Sequence, residues 1–369
     1  MREDVYRRLL EHMSKAPLKF RPAEEMERIL DIVLDEQDAE ILLKLGHMPA
    51  FHGPQSMARK TDMPLQEIRT RLENLASRGA IARFRIMGRD LYALLPLMPG
   101  FFELTFMKDD NYPPDTKQEL RELWSRYKQN YLTHELTDYP TLAMRVIPIN
   151  QSIEPLHRVL LQDDVKHIVQ KAGKISLGNC ACRVTEQNCD LPIDTCFAFN
   201  SFAWFMIQNG FAREVSVKKA LDVLHEAAEV GLVHAALNSR NDPMILCNCC
   251  GCCCATMSAI TKMNKEQGVA PSSVSAVIDA ERCEDCGVCE KRCWVSAISV
   301  VDDVRTVDAA KCIGCGLCIQ TCPNDAISMQ PRPGFRNTAP RSPINLLLRM
   351  TGERGVGSAM FKAVLKEMI

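Results

Sequence analysis

The feature that most constrains this 369-residue chain is the placement of its 18 cysteines. None precedes Cys180, and eight of them form two copies of one pattern, C-x2-C-x2-C-x3-C. The segments "IDAERCEDCGVCEKRCWVSAISV" and "VDAAKCIGCGLCIQTCPNDAISM" repeat at an offset of 29 residues. All four cysteines, the glycine after the second and the Ala-Ile-Ser after the fourth coincide. Spacing this tight lets three thiolates of one loop wrap one face of a single object. Gly287, Gly314 and Gly316 allow the backbone to approach, so that its N–H groups can point at sulfur. An even cysteine count also suits a disulfide scaffold, but such scaffolds are short and secreted. This chain is long, and it opens with Met1-Arg2-Glu3-Asp4 instead of the apolar run of a secretory signal. Metal or redox use is therefore expected.

The two runs resemble those of the two-cluster bacterial ferredoxins. The resemblance implies that Cys283, Cys286, Cys289 and Cys322 hold one 4Fe–4S cluster. It implies that Cys312, Cys315, Cys318 and Cys293 hold a second. Each fourth cysteine is expected to start a helix and to turn towards the other cluster. Structural zinc is the competing use of the same thiols. Pro323 follows the fourth cysteine of the second run, whereas Trp294 stands at that place in the first. The exchange alters packing and solvent access but removes no ligand.

Ten more cysteines lie in the middle of the chain. Cys180, Cys182, Cys189 and Cys196 form "CACRVTEQNCDLPIDTC", and Cys247, Cys249, Cys250, Cys252, Cys253 and Cys254 form "CNCCGCCC". Six thiols within eight residues are more than a core concentrates, although a buried cysteine packs well. Structural zinc needs only four of the ten and leaves thiols over. A further iron–sulfur cluster, or a dithiol redox site working with one, is the favoured use. Arg183 would supply counter-charge and hydrogen bonds, with a surface salt bridge as the plainer role. His234, in "GLVH", would serve as a ligand, as a proton donor or as a satisfied histidine at a helix end. Asn238 and Asn248 are candidate donors around the site. The Cys-Cys-Gly triplet resembles the cysteine-rich domains of heterodisulfide reductases over those three residues, with different flanking spacing.

Elsewhere the composition is that of a globular protein, 46% apolar and 25% charged, long enough for roughly two or three domains. The formal net charge of -1 steers the chain towards neither nucleic acid nor an anionic membrane. No run approaches about 18 apolar residues, so no membrane span is expected. The expected compartment is the reducing cytoplasm of an anaerobe. Residues 1–36 suggest one or two helices, and Ala39 to Leu45 has helical spacing. Ile68, Leu72 and Leu75 mark one face of a helix that Pro64 starts and Gly79 stops. "AIARFRIMGRDLYALLP" alternates and turns at Gly88-Arg89-Asp90, a hairpin signal. In this order of elements residues 37–97 resemble a winged helix-turn-helix. That implies a recognition helix after Pro64 and a wing at Gly88. Arg69, Arg71, Arg83, Arg85 and Arg89 would meet phosphates, diluted by Glu67, Glu73 and Asp90. Winged helices also serve as protein-interaction modules, which is the expectation preferred here over DNA.

"PLMPGFFEL" and "AMRVIPIN" suggest buried strands or linkers. A helix capped by Ser216 is expected from Val217 to Gly231. A Pro/Arg-rich linker follows residue 331, and a short amphipathic helix from about Ser358 to Met368 closes the chain. The expected fold class is α+β and multidomain. N-terminal helices occupy 1–36, a winged-helix-like domain 37–97, a mixed Cys-rich domain 98–270, a two-cluster ferredoxin-like domain 272–331, and a linker with a C-terminal helix 332–369. This order is similar to that of a broad group of anaerobe 4Fe–4S proteins with a winged-helix-like head, C-x-C-R and "CNCC-x-CCC" elements and a two-cluster tail. No substrate comes with that likeness. It implies an iron–sulfur redox subunit or oxidoreductase component. Single electrons would pass through two clusters to a third Cys-rich metal or thiol site, with a redox protein as partner. No nucleotide fingerprint is evident, so a flavin or nicotinamide would belong to that partner. The alternatives are a redox-sensing, DNA-binding regulator and a reductive-activation factor for another enzyme.

Overall fold

The N-terminal third is helical because its apolar residues recur at helical spacing and its helix ends carry stop and start residues. The computed structural model describes residues 2–16, 18–48, 50–149 and 164–355. Helices span Arg2–Met13 and Glu24–Val33, the second burying Met26, Ile29, Leu30 and Val33 along one stripe. Helix Glu36–Leu43 is opened by Asp35, whose carboxylate accepts from the Asp38 N–H at 2.6 Å. Helices Pro54–Thr61 and Leu65–Ser77 follow, and the second buries Ile68, Leu72 and Leu75. Strands β1 (Ile81–Ile86) and β2 (Arg89–Leu94) then pair antiparallel. Their turn lies at Met87-Gly88, one step earlier than expected, so Arg89 and Asp90 already belong to β2. Both turn residues have positive φ, as a two-residue hairpin turn of this hand requires.

"PLMPGFFEL" forms no strand. Its end becomes helix Phe102–Phe106, and Phe101 and Phe102 pack on Trp124 of helix Pro114–Tyr127 with ring centroids 5.9 and 5.1 Å apart. "AMRVIPIN" contains strand β3 (Met144–Val146).

The centre of the molecule is an antiparallel six-stranded sheet in the order β3-β7-β8-β5-β4-β6. Its other strands are β4 (Ile175–Asn179), β5 (Asp194–Phe199), β6 (Arg213–Glu214), β7 (Val233–Leu237) and β8 (Ile245–Cys249). Alternation along the strands gives the sheet two faces. Phe197, Phe199, Ala236 and Leu246 point to one, where helices Val165–Lys171 and Val217–Glu229 cover them in a small separate core. Ser216 caps the second helix through the Lys219 N–H, as its sequence suggests. The other face joins the larger core shared with the N-terminal helices, and it carries the cysteines.

In the tail, β9 (Val274–Ile278) pairs with β12 (Ile327–Pro331), and β10 (Ile298–Val301) with β11 (Val304–Val307). The fourth cysteines do not start helices. Helix Val288–Arg292 ends at Cys293, and the short 3-10 turn Ile319–Thr321 ends at Cys322. The reason is local: Gly287, at φ 72°, begins the first helix before the third cysteine, and each fourth cysteine takes an extended conformation. Beyond residue 331 lies a helix the sequence reading passed over, Pro343–Glu353, with Ser342 as its cap and proline in its first turn. The helix expected over Ser358 to Met368 lies outside the described residues. No described helix is long and apolar enough to cross a membrane.

Candidate metal centres

The two tail runs fold so that each lends its last cysteine to the other. One cavity is lined by Cys283, Cys286, Cys289 and Cys322. A second is lined by Cys293, Cys312, Cys315 and Cys318. The Ala297 N–H donates to Cys293 Sγ at 3.3 Å, and the Ala326 N–H donates to Cys322 Sγ at 3.2 Å. Backbone donors aimed at sulfur favour the thiolate form that a metal needs. Gly314, at φ 73°, has no room for a side chain: a Cβ there would lie 2.2 Å from the Val274 carbonyl oxygen. Cys286 is exposed and Cys318 is buried. Cys289 is buried too, and Cys293, Cys312 and Cys315 are half-buried, so it is through Cys286 that the Cys283 set, the outer one, reaches solvent, while no cysteine of the Cys312 set, the inner one, is exposed.

The inner set abuts the middle of the chain. Trp294, directly after Cys293, donates its indole N–H to the Gly231 carbonyl at 2.7 Å. Its ring packs so closely on Gly251 that a Cβ there would lie 2.6 Å from Trp294 Cε3. Gly251 sits inside "CNCCGCCC", between Cys250 and Cys252. The Ile149 N–H also donates to the Cys315 carbonyl, at 3.0 Å.

The ten middle cysteines separate into two groups. Six act on one another's acidity in a closed circuit, here called the ring: Cys180 with Cys182, then Cys254, Cys249, Cys247, Cys196 and back to Cys180. The sheet explains half of it. In "CNC" the alternation puts Cys247 and Cys249 on one face of β8, and the pairing of Phe197 with Leu246 carries on to set Cys196 beside Cys247. Cys180 follows β4, and Cys254 opens helix Ala255–Thr261. Acidities alternate around the ring. Contacts from Cys182 and Cys196 hold Cys180 well below the ordinary thiol range, and contacts from Cys196 and Cys249 bring Cys247 to about 5. Cys254 is lowered likewise, whereas Cys182, Cys196 and Cys249 are raised. Like charges this close cannot all ionise without cations between them. A donor set of six soft ligands in that position fits an iron–sulfur group.

The other four, Cys189, Cys250, Cys252 and Cys253, form a compact set. All four sulfurs lie within 4.8 Å of one another. Cys189 is 4.0 Å from Cys250 and 3.9 Å from Cys253, and Cys252 is 3.7 Å from Cys253.

Arg183 sits between the groups, buried. Burial pushes its guanidinium down, but the thiols of Cys180, Cys196 and Cys250 outweigh that and raise it. It donates to the Asn248 carbonyl at 2.7 Å and to the Thr195 hydroxyl. His234 is elsewhere. It lies in β7, not at a helix end, where its ring meets the Asn248 side chain at 2.6 Å. Strand alternation turns this pair away from Cys247 and Cys249, and burial brings the imidazole down to about 4. Asn248 also donates to the Thr195 carbonyl, and Asn238 donates to the Leu142 carbonyl, so Asn238 stands apart from the thiols.

Three further residues, none marked by the sequence pattern, adjoin the thiols. A buried ion pair joins Lys128 to Glu186 at 2.5 Å, and Lys128 also donates to the Cys253 carbonyl at 2.8 Å. Glu103 accepts from the Gly100 N–H at 2.7 Å, and burial pushes its carboxyl up to about 8. A lone glutamate inside "PLMPGFFEL" was the available signal. Glu103 and Cys247 line a cavity of about 1010 Å³, otherwise walled by Phe84, Met98, Phe202, Trp204 and Leu347 among others.

The family model described as 4Fe-4S binding domain matches residues 305–328. That stretch contains Cys312, Cys315, Cys318 and Cys322. No curated protein and no solved structure matches the chain. The chain is thus an iron–sulfur protein with a 4Fe–4S binding domain near its C-terminus.

Proposed function

We propose that this chain is an electron relay with two 4Fe–4S clusters in a ferredoxin-like tail and a further iron–sulfur cluster in the six-thiol ring. Cys283, Cys286, Cys289 and Cys322 hold the outer cluster. Cys293, Cys312, Cys315 and Cys318 hold the inner one. The carrying observation is the exchange of fourth cysteines between two cavities, which matches the ligand set implied by the ferredoxin-like repeat. When bound, such clusters take up and release single electrons. The protein's part is to seat them at successive depths. Cys286 at the surface gives a redox partner its point of access, and the Trp294–Gly251 contact brings the inner set against the middle group. Arg183 supplies fixed positive charge there.

Residues 37–97 are assigned a winged-helix-like arrangement with a protein-docking role. The arginines expected to meet phosphates are largely neutralised within the chain. Arg71 pairs with Asp35 and Asp38, and Arg83 and Arg85 pair with Asp90. The site of action is a reducing cytoplasm. A gel shift at low salt that depends on cluster oxidation state would instead favour the regulator.

The deciding experiment is anaerobic purification with iron and sulfide counts on Cys→Ala variants. The relay predicts more than about eight irons per chain, the complement of two 4Fe–4S clusters, with the surplus lost in Cys180→Ala or Cys249→Ala. About eight irons, unchanged in those variants, overturn the middle cluster.

One observation favours a second reading, in which the ring also reduces a substrate. The large apolar cavity ends on Cys247, and Glu103 beside it holds a proton at neutral pH. A small aromatic probe such as 1-naphthol should then alter the EPR signal of the middle site, and Trp204→Ala should abolish the effect. An unaltered signal leaves the ring as a carrier.

A further inference from the structure

The four thiols outside the ring have a geometry of their own. A tetrahedral ion with metal–sulfur bonds of about 2.3 Å places its sulfurs about 3.8 Å apart. Three sulfur–sulfur separations at this site are 3.7, 3.9 and 4.0 Å. Cluster thiolates behave differently, because each binds a different iron and the sulfurs must stand apart around the core. The tail gives the comparison within one chain. Its two sets of four surround open cavities, and among the described residues only the Cys189 group brings every ligand atom within 4.8 Å of every other. Tetrahedral S4 coordination suits zinc or mononuclear iron.

The position of the set in the chain gives it a task. Cys189 lies between Cys182 and Cys196, in a stretch of 187–193 without helix or strand. Cys250, Cys252 and Cys253 lie in the turn between Cys249 and Cys254. The ring draws its ligands from these same two segments. Protein hydrogen bonds already cross between them, from Arg183 to the Asn248 carbonyl, from Asn248 to the Thr195 carbonyl and from Asn188 Nδ2 to the Cys252 carbonyl at 3.0 Å. One ion at the four thiols joins both segments.

We propose that Cys189, Cys250, Cys252 and Cys253 bind one mononuclear metal ion as a closed tetrathiolate, separate from the six-thiol ring, and that this ion staples together the two segments supplying the ring. Zinc is the expected ion, since four protein ligands with no open position make a structural zinc site. The charge suits it. Arg183 stands against Cys250, and the Lys128–Glu186 pair braces the Cys253 backbone. The ring's cluster belongs to the relay proposed above, whereas the staple rests on sulfur geometry alone.

The test measures zinc, iron and sulfide in the anaerobically purified full chain and in Cys252→Ser and Cys253→Ser. About one zinc per chain is expected, lost in both variants, while the EPR signals of the tail persist and show that the chain is folded. About one iron without matching sulfide, lost in the same variants, supports the site with iron as its ion. Loss of iron and sulfide together in cluster proportion, or no metal loss in either variant, overturns it. Cobalt(II) exchanged into the wild-type protein guards against variants that fail to fold. Intense thiolate-to-cobalt absorption with tetrahedral d–d bands is expected, and an octahedral spectrum refutes the site. The counts also keep the two proposals apart, because the staple can stand with about eight irons and the relay can stand without zinc.

Discussion

Arg183 carries the sharpest residue-scale consequence. A buried guanidinium with the thiols of Cys180, Cys196 and Cys250 around it stabilises whichever oxidation state of the middle site is more negative. Reduction adds negative charge, so Arg183→Gln should move the middle potential negative by on the order of 60 mV, a tenfold step for a one-electron couple. An EPR redox titration reads this, with the tail signals unmoved as the control. Arg183→Lys keeps the charge but loses the fork that reaches both Asn248 and Thr195, and it should fall between. Asp90 shows the same physics at the surface. Burial pushes its carboxyl up, but hydrogen bonds from Arg85 and Arg83 outweigh that and hold it below 3.8. Its contribution to stability is therefore complete above that pH and is lost as pH falls through the folded value. Asp90→Asn should lower Tm near neutrality by no more than about 3 °C, and the difference should vanish in acid. Thermal melts at several pH values check both statements.

At the scale of elements, the contact between Trp294 and the Gly251 turn decides whether the tail and the middle act together. Gly251→Ala puts a methyl 2.6 Å from Trp294 Cε3 and 3.0 Å from Thr261 Cγ2. Overpacking of this kind costs about 1–3 kcal/mol, and the cheapest relief is to displace the indole. The variant should keep its tail clusters and lose at least about tenfold in the rate at which the middle site follows them. That factor is the cost of about 1.4 kcal/mol on a barrier. Freeze-quench EPR after rapid reduction measures it. The sequence singled out Trp294 only as an exchange for proline, and its partner was invisible because residues 251 and 294 meet through tertiary packing. The same limit explains the thiols. Local spacing was enough to find both tail runs, the helix after Pro64 and the Ser216 cap, all written within a few residues. The division of ten cysteines into a ring and a compact four depends on the register of β5 against β8 and on a loop folding back to "CNCCGCCC". Neither is encoded in spacing. His234 was misplaced for a related reason, since "GLVH" contains a glycine that ends a helix, and the strand that follows exists only in the sheet.

At the scale of the whole molecule, depth gives the relay a direction that can be tested at both ends. Val288, 42% exposed, stands between Cys286 and Cys289, and the β10–β11 hairpin, whose Arg305 lines the outer cavity, exposes Val300 at 45%, Val301 at 52% and Val304 at 43%. Val301 and Val304 pair across the β10–β11 turn, so part of this surface is one continuous strip. Contiguous exposed apolar residues beside a redox centre suit transient docking of a partner. Polar replacement of Val300, Val301 and Val304 by serine removes that contact and touches no proposed ligand. It should weaken docking of a reduced donor protein by about 10-fold, or roughly 1.4 kcal/mol. The rate at which electrons pass from the tail to the middle, once inside, should not change. Trp294→Ala should do the converse, leaving entry at the surface intact and slowing the inner step. Stopped-flow reduction by a donor ferredoxin, with rates plotted against donor concentration, separates the two. Entry defects raise the half-saturating concentration, and transfer defects lower the plateau. If both variants change the same parameter, the direction proposed here fails, and the outer thiols are not where electrons arrive.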